Sequence, residues 1–389
     1  MARSGMLAAR IGGLAVLTAT SLTATGVAQA STSSESAGAV AVPRSLNPGH
    51  DDYLQAVQSL SPSNAWAVGY YCSASCGKSA EVDRSLILHW NGTAWSRVPS
   101  PNAGTQDTLF GVTAVSAGDA WAAGTSFSSA KGFRPLILHW NGKAWSNDSP
   151  AVAGVFQVSA IFAESAADAW AVGSRISGPT IATLILHWNG KTWSKVTSPS
   201  PSRSRNSLYG VSAVSRTDAW AVGGYCASHC SGPTAPVDHS LILHWNGKSW
   251  SKVPSPTITG ADLHSVSALS ATNAWAAGFG NSANLMLRWN GTRWSKVNFP
   301  NQSPAFSITL SSPTDGWAVG FGGFTHWNGT NWSLVPVSTP LDSNLQGVSA
   351  DGASDAWAVG FYCVSKCGSR SIVWNTETMH WNGKSWSRK

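Results

Sequence analysis

Charge is scarce in this sequence. Its 389 residues include only 18 Asp and Glu, and charged residues make up 11% of the chain, against about 25% in ordinary globular proteins. Surface polarity must therefore come from Ser, Thr, Asn and the backbone, and general acid–base catalysis has few carboxylates to draw on. Apolar spacing of three and four residues is also lacking, which excludes stacked-helix repeats. No stretch approaches the roughly 18 to 20 apolar residues of a membrane span. The dense basic run of a nucleic-acid binder is missing too.

What the chain has in quantity is tryptophan, 22 copies. They travel in two recurring phrases. HWNGTAWS at His89 to Ser96 returns as HWNGKAWS, HWNGKTWS, HWNGKSWS, RWNGTRWS, HWNGTNWS and HWNGKSWS. NAWAVG, with Trp66, returns six times around Trp121, Trp170, Trp220, Trp275, Trp317 and Trp357.

The first 30 residues read as a secretory signal. Arg3 and Arg10 precede the largely apolar stretch Ile11 to Leu17, and Ala28-Gln29-Ala30 stands before Ser31, so cleavage is expected after Ala30. No cysteine follows that site directly, which disfavours a lipid anchor. The mature chain keeps 23 basic and 18 acidic residues, a net charge of +5. It is expected to be secreted and monomeric, without a membrane span or nucleic-acid partner.

Six cysteines form three equally spaced pairs: Cys72 and Cys76, Cys226 and Cys230, Cys363 and Cys367. In an exported protein such spacing reads as disulfides. Six cysteines allow 15 connectivities, and local pairing is the expectation.

Aligned on the AWAVG phrase, seven repeats begin near Leu54, Leu109, Phe156, Leu208, Leu263, Phe306 and Leu345, about 48 residues apart, a period that points to solenoids and propellers. Each resolves into four short strands, a to d, seen best in GVSAVS (Gly210 to Ser215), AWAVGG (Ala219 to Gly224), LILHWN (Leu241 to Asn246) and SWSKVP (Ser249 to Pro254). The turn from a to b ends in Asp or Asn in every copy. Between c and d an Asn-Gly pair predicts a two-residue type I′ hairpin turn. In the first repeat that register pairs Trp90 with Thr93, His89 with Ala94 and Leu88 with Trp95, placing Leu88, Trp90 and Trp95 on one face. Both faces of the hairpin are apolar, as a sheet sandwiched between two others requires.

The predicted fold is all-β, a seven-bladed β-propeller of four-stranded antiparallel blades. It spans residues 51–389, after a signal (1–30) and a linker (31–50). Within the linker, Val40-Ala41-Val42-Pro43 resembles the end of a d strand, so residues 39–44 are expected to complete the last blade. The AWAVG, ILHW and G-x-x-W pattern resembles bacterial secreted propeller repeats of the Kelch-like and Asp-box-like kind, similar to those of photosystem-assembly and sortilin-type propellers. The resemblance covers about residues 39 to 389. Trp90 stands where the Asp-box aspartate belongs, so the likeness implies a fold and transfers no function.

In such a meander the a-to-b and c-to-d turns share one end, and the b-to-c and d-to-a connections share the other. The second end carries the length variation. From strand b to strand c, tryptophans lie 10 residues apart in the sixth repeat (Trp317 to Trp327) and 25 in the fourth (Trp220 to Trp245). Binding specificity belongs on variable loops of a rigid scaffold. The cysteine pairs mark the long loops of repeats one, four and seven. The candidate ligand-binding residues are Tyr70, Tyr71, Asp83 and Arg84 from the first, Tyr225, His229, Asp238 and His239 from the fourth, and Tyr362, Lys366, Arg370, Trp374 and Glu377 from the seventh. Aromatic surfaces beside directed polar groups suit sugar rings or peptides. The bland alternative is that Tyr71, Tyr225 and Tyr362 pack over their disulfides. Trp374, outside the triplet scheme of the other 21 tryptophans, is open to either reading.

His89, His139, His187, His244, His326 and His380 occur once per repeat, too dispersed to converge on a metal. In Cys226-x-x-His229-Cys230 the histidine has no counterpart in the equivalent loops, so no metal or cofactor is expected. A separate candidate is a basic rim of Lys143, Lys191, Lys248 and Lys384 after the c-to-d turns, with Arg97, Lys195, Lys252, Lys296 and Arg388 near the start of strand d.

The favoured reading is a secreted, non-catalytic module that binds an extracellular glycan, cell-wall polymer or protein through the loops of repeats one, four and seven. Its rivals are an envelope-associated structural protein held by the basic rim and a propeller-class glycoside hydrolase or oxidase. For the enzyme, Glu81, Asp83, Asp238 and Glu377 are the loop carboxylates to test, and no spacing joins them into a catalytic pair.

Overall fold

The computed structural model describes residues 51–77, 80–227, 230, 237–280, 283–300, 304–321, 323–340, 342–365, 367 and 373–389. The expected signal, the linker and residues 39–44 lie outside them. The described chain is all-β. Unit 1 comprises β1 (Asp52–Ser61), β2 (Asn64–Ala74), β3 (Val82–Trp90) and β4 (Trp95–Arg97). Unit 2 follows with β5 (Gln106–Ser116), β6 (Asp119–Ser128), β7 (Gly132–Trp140) and β8 (Trp145–Asn147), and unit 3 with β9 (Val155–Ser165), β10 (Asp168–Ser177), β11 (Thr180–Trp188) and β12 (Trp193–Val196). Unit 4 contains β13 (Asn206–Ser215), β14 (Asp218–Tyr225), β15 (His239–Trp245) and β16 (Trp250–Lys252), and unit 5 β17 (Asp262–Ser270), β18 (Asn273–Gly280), β19 (Ala283–Trp289) and β20 (Trp294–Lys296). Unit 6 is β21 (Ala305–Ser312), β22 (Asp315–Gly320), β23 (Gly323–Trp327) and β24 (Trp332–Val335), and unit 7 is β25 (Asn344–Gly352), β26 (Asp355–Ser365), β27 (Val373–Trp381) and β28 (Trp386–Arg388).

Within each unit the four strands pair antiparallel in chain order. Five units are separate four-stranded sheets, whereas units 1 and 2 merge into one eight-stranded sheet through a single parallel pair, Asp83 with Gln106. The first strand of every unit packs against the first strand of the next, and β25 packs against β1. Hydroxyls stitch these strands at one recurring position: Thr113 accepts from the Ala163 amide at 3.2 Å, Ser212 from Ala268 at 3.1 Å, Ser267 from Leu310 at 3.1 Å and Ser349 from Ser59 at 3.0 Å. The last of these bonds joins the final unit to the first.

The hydrophobic core lies between units rather than within them. Trp66, Val68 and Ile87 of unit 1 bury against Leu109, Ala122 and Leu136 of unit 2, and the pattern continues around to Trp357 and Val359 of unit 7 against Leu54 and Leu86 of unit 1. Every second-strand tryptophan is at most 1% exposed and meets the two hairpin tryptophans of a neighbouring unit. Trp66 lies 5.1 Å from Trp140 and 5.2 Å, edge to face, from Trp145, and Trp357 lies 4.9 Å from both Trp90 and Trp95. Such pairs contribute about 0.5–1.5 kcal/mol each beyond burial. The repeat recurs because half of each tryptophan cluster belongs to the neighbour.

The register of the c-to-d hairpin differs from the expected one. Trp90 pairs with Trp95, His89 with Ser96 and Leu88 with Arg97, so the loop has four residues, Asn91 to Ala94. Gly92 alone takes a positive φ, 94°, where a type I′ turn needs two. The Asn91 side-chain oxygen accepts from the amides of Thr93 and Ala94, at 3.0 and 2.9 Å, and this favours the longer loop. Leu88, Trp90 and Trp95 still share a face.

Glycine in the AWAVG phrase has a packing cause. A Cβ on Gly69 would lie 1.9 Å from the Tyr53 carbonyl oxygen, and the equivalent glycine in the other six units meets the same obstruction at 1.9–2.0 Å. Opposite that glycine the first strand bulges by one residue in each unit, between Leu54 and Ala56 in the first, and the bulge brings its backbone close.

Candidate binding face

At the uniform end, the Asp or Asn that closes each a-to-b turn receives the ring nitrogen of the third-strand histidine. His139 Nε2 lies 2.9 Å from Asp119, His187 2.6 Å from Asp168, His244 2.8 Å from Asp218, His326 2.8 Å from Asp315 and His380 2.6 Å from Asp355. His89 meets Asn64 at 2.9 Å. Each ring also rests on the second-strand tryptophan of its own unit, at 3.9 Å for His139 on Trp121. In unit 5 Arg288 takes the histidine's place over Trp275, whose indole N–H donates to Asn273. Burial raises the Asp315 carboxyl, but hydrogen bonds from His326 and Ser311 outweigh it and hold it below its ordinary value. His89, facing an amide, is lowered by burial. Sequence reading placed both partners without seeing that they meet, although their fixed positions in six of the seven repeats were the available signal.

The basic rim divides in two. Lys143, Lys191, Lys248 and Lys384 are exposed at the c-to-d turns. Three of the fourth-strand cations instead reach across their sheets toward the variable end: Arg97 lies over the Tyr71 ring at 4.3 Å, Lys252 over Tyr225 at 4.3 Å and Arg388 over Tyr362 at 4.1 Å. These are the three tyrosines that precede a cysteine pair. Each pair forms a disulfide, with Cα–Cα separations of 5.7, 5.8 and 5.8 Å.

Most of the expected loop residues are engaged within the fold. Tyr70 stacks on Tyr53 at 4.8 Å. Arg84 donates to the Gly104 carbonyl and lies 3.7 Å from Asp107. Asp238 accepts from the Ala227 amide at 2.6 Å and contacts His239 at 2.9 Å. Trp374 is half-buried, edge-on to Phe361 at 5.1 Å, with its amide donating to Asp51. Glu377 lies within β27, fully buried, where it accepts from the Ser343 hydroxyl and burial pushes its carboxyl up. Glu81 and Asp83 do come together with Cys72, their ligand-type atoms within 4.8 Å of one another; Asp83 is buried, and the Cys72 sulfur is committed to its disulfide. His229, Lys366 and Arg370 lie outside the described residues.

The variable end also carries features that the repeat pattern hides. Among the described residues the exposed large apolar side chains are Ile176, Phe321, Leu334 and Val364; Phe321 sits on the b-to-c connection of unit 6, and Ile176 and Val364 lie near the ends of β10 and β26. The bulged residues of consecutive units meet: Tyr209 stacks on His264 at 5.0 Å, and His264 lies 5.8 Å from Phe306, which is edge-on to Phe321. A cavity of about 460 Å³ lies between units 3 and 4, walled by Pro179, Pro201, Arg203, Tyr225 and the Cys226–Cys230 disulfide. A smaller one of about 170 Å³ shares Tyr225 and is bounded by His239, Lys252 and Ile258.

This arrangement defines the class of protein. Sequential four-stranded antiparallel sheets, packed face to face with the last against the first, form a β-propeller. No family model matches the chain, and no curated protein sequence does. Solved propeller structures do match: YCF48 bound to a D1 peptide (TM-score 0.51, 14% identity, 86% of this chain and 92% of that one), the WD40 repeats of RRP9 (0.53, 11%, 84% and 95%) and streptogramin B lyase (0.50, 15%, 72% and 82%). At these identities the likeness is one of fold. Among the described residues no helix is long and apolar enough to cross a membrane.

Proposed function

We propose that the seven units are the blades of a seven-bladed propeller, and that the chain is an exported, non-catalytic module that binds a protein through its variable end. The carrying observation is that Ile176, Phe321 and Val364, each about half exposed, lie at that end, near the ends of β10 and β26 and between β22 and β23; the variable connections of a rigid scaffold are where binding groups concentrate. Three disulfides support an oxidising compartment. The similarity to a propeller solved with a peptide bound supports a peptide or protein as ligand. The engagement of Tyr71, Tyr225 and Tyr362 by cations of their own units weakens the case for them as sugar platforms, and the same contacts draw three charges away from a uniform basic rim.

The test is a paired screen of the mature protein on peptide and glycan arrays, with a variant carrying Ile176→Ser, Phe321→Ser and Val364→Ser. Peptide binding that disappears in a variant of unchanged melting temperature is the expected result. Binding confined to glycans would overturn it, and retention on cell-wall material that is lost at high salt would favour the exposed lysines of the uniform end.

A further inference from the structure

The variable end of units 2 and 3 is basic and unneutralised. Lys131, Arg134 and Arg203 are exposed, and Arg175 and Arg205 are half-buried. Among the described residues none of the five lies within salt-bridge distance of a carboxylate. Asp107, fully buried, turns onto the amides of Ala103 and Gly104 and toward Arg84, and Asp148 faces His139 at 3.6 Å. The Nε groups of Arg175 and Arg205 are buried without an acceptor, and the Arg205 side chain also bonds Tyr209.

Strand pairing gathers the groups around unit 3. Ile176 pairs with Ile181 in adjacent strands and Ile181 bridges to Arg205 on the segment entering unit 4, so these three share the face toward unit 4, whereas Arg175, paired with Ala182, lies on the face toward unit 2. Thr180 donates to the Arg203 carbonyl at 2.8 Å, and the Ile181 amide to that of Ser204 at 2.8 Å. Arg203 is itself a wall of the 460 Å³ cavity, whose other walls include Pro179, Pro201, Tyr225 and a disulfide.

We infer that this surface docks an acidic peptide segment, its carboxylates meeting Arg203 and Arg205 and one apolar side chain entering the cavity between units 3 and 4. The inference rests on the protein-binding reading and names the partner's chemistry. Arginine pairs with carboxylates through directed, charge-assisted bonds. The proline and tyrosine walls, and Ile176 at 46% exposure beside them, select an apolar side chain that a polyphosphate or polyuronate lacks.

The test is fluorescence anisotropy on the full mature chain with a fluorescein-labelled eight-residue peptide that alternates acidic residues with Leu and Phe. Its Gln/Asn analogue, polyphosphate and polygalacturonate compete. Expected results are binding of the acidic peptide, none of the analogue, weakening by about tenfold in Arg203→Ala and in Arg205→Ala, and no change in Arg293→Ala, which lies in the c-to-d loop of unit 5. Equal binding of the neutral analogue, or affinity unchanged in both arginine variants, would overturn the site while leaving protein binding in place. Direct binding of labelled polyphosphate or polygalacturonate with no peptide binding would overturn the peptide assignment. If neither this peptide nor any on the arrays binds, the protein-binding reading falls with it.

Discussion

At the scale of single residues, the fold depends on a few side chains that composition alone would rank as ordinary. The backbone at Gly223 depends on the same economy: an added Cβ would sit 2.0 Å from the Ser207 carbonyl oxygen, and every atom it meets is first-strand backbone, with no flexible group to yield. Gly223→Ala should cost more than about 3 kcal/mol, read as a fall in the urea midpoint; a cost under 1 kcal/mol would show that the bulge relaxes. Asp351 is such a side chain, found only in unit 7, where burial and the neighbouring Asp355 raise its carboxyl to about 6. A group whose folded pKa exceeds its unfolded value of 3.8 stabilises the fold fully below 3.8, and that contribution is lost as pH rises through about 6. Asp355, held low despite burial by bonds from His380, Asp351 and Ser59, acts in the opposite sense at acid pH. Asp351→Asn should therefore remove a decline in melting temperature between pH 4 and 7. A wild-type profile without that decline would refute the assignment.

At the scale of elements, each disulfide closes a small loop beside a tyrosine clasped by a fourth-strand cation, so it stiffens a connection and does not hold sheets together. Cys226→Ser with Cys230→Ser should cost about 2 kcal/mol by chain entropy and leave the far-ultraviolet circular dichroism unchanged; loss of the β spectrum would assign the bridge to the fold itself. Strands, their order and the two ends of each unit were legible in the sequence because the Trp and Asn-Gly phrases repeat, and repetition fixes period and register together. The hairpin loop was misread because Asn-Gly alone signals a two-residue turn. What decided the longer loop was the Asn91 side chain capping two amides, with both hairpin tryptophans facing the same neighbour. The variable end was legible only as a place. Repeats say nothing about segments that differ, so the occupation of Arg84, Asp238 and Trp374 by internal contacts, and the cavity beside Tyr225, follow from tertiary packing that no local pattern records.

At the scale of the whole molecule, the question is whether the seam between units 7 and 1 is as strong as the six covalently continuous junctions. The contacts there are of the same kind: Trp357 against Trp90 and Trp95, Ser59 to Ser349, and the Ser59 hydroxyl to Asp355 at 3.1 Å. Trp170 has the equivalent place between units 3 and 4, with Trp245 and Trp250 each at 5.1 Å. Replacing either tryptophan by alanine removes a fully buried indole, which costs about 3–5 kcal/mol in a packed core. Their costs diverge only if the ring opens. In a closed ring, Trp357→Ala and Trp170→Ala should lower the unfolding free energy by similar amounts within one cooperative transition. A seam that breathes would instead make Trp357→Ala much the milder change, since its cavity already samples water. Deleting residues 31–45 addresses the same junction from the other side. If residues 39–44 add a strand to unit 7, the shortened chain melts lower and the penalty of Trp357→Ala shrinks with it, because both act on one closure. Unchanged melting would leave the contacts between units 7 and 1, from the tryptophan cluster and the Ser59 bonds to the Trp374–Asp51 bond, to join the ends.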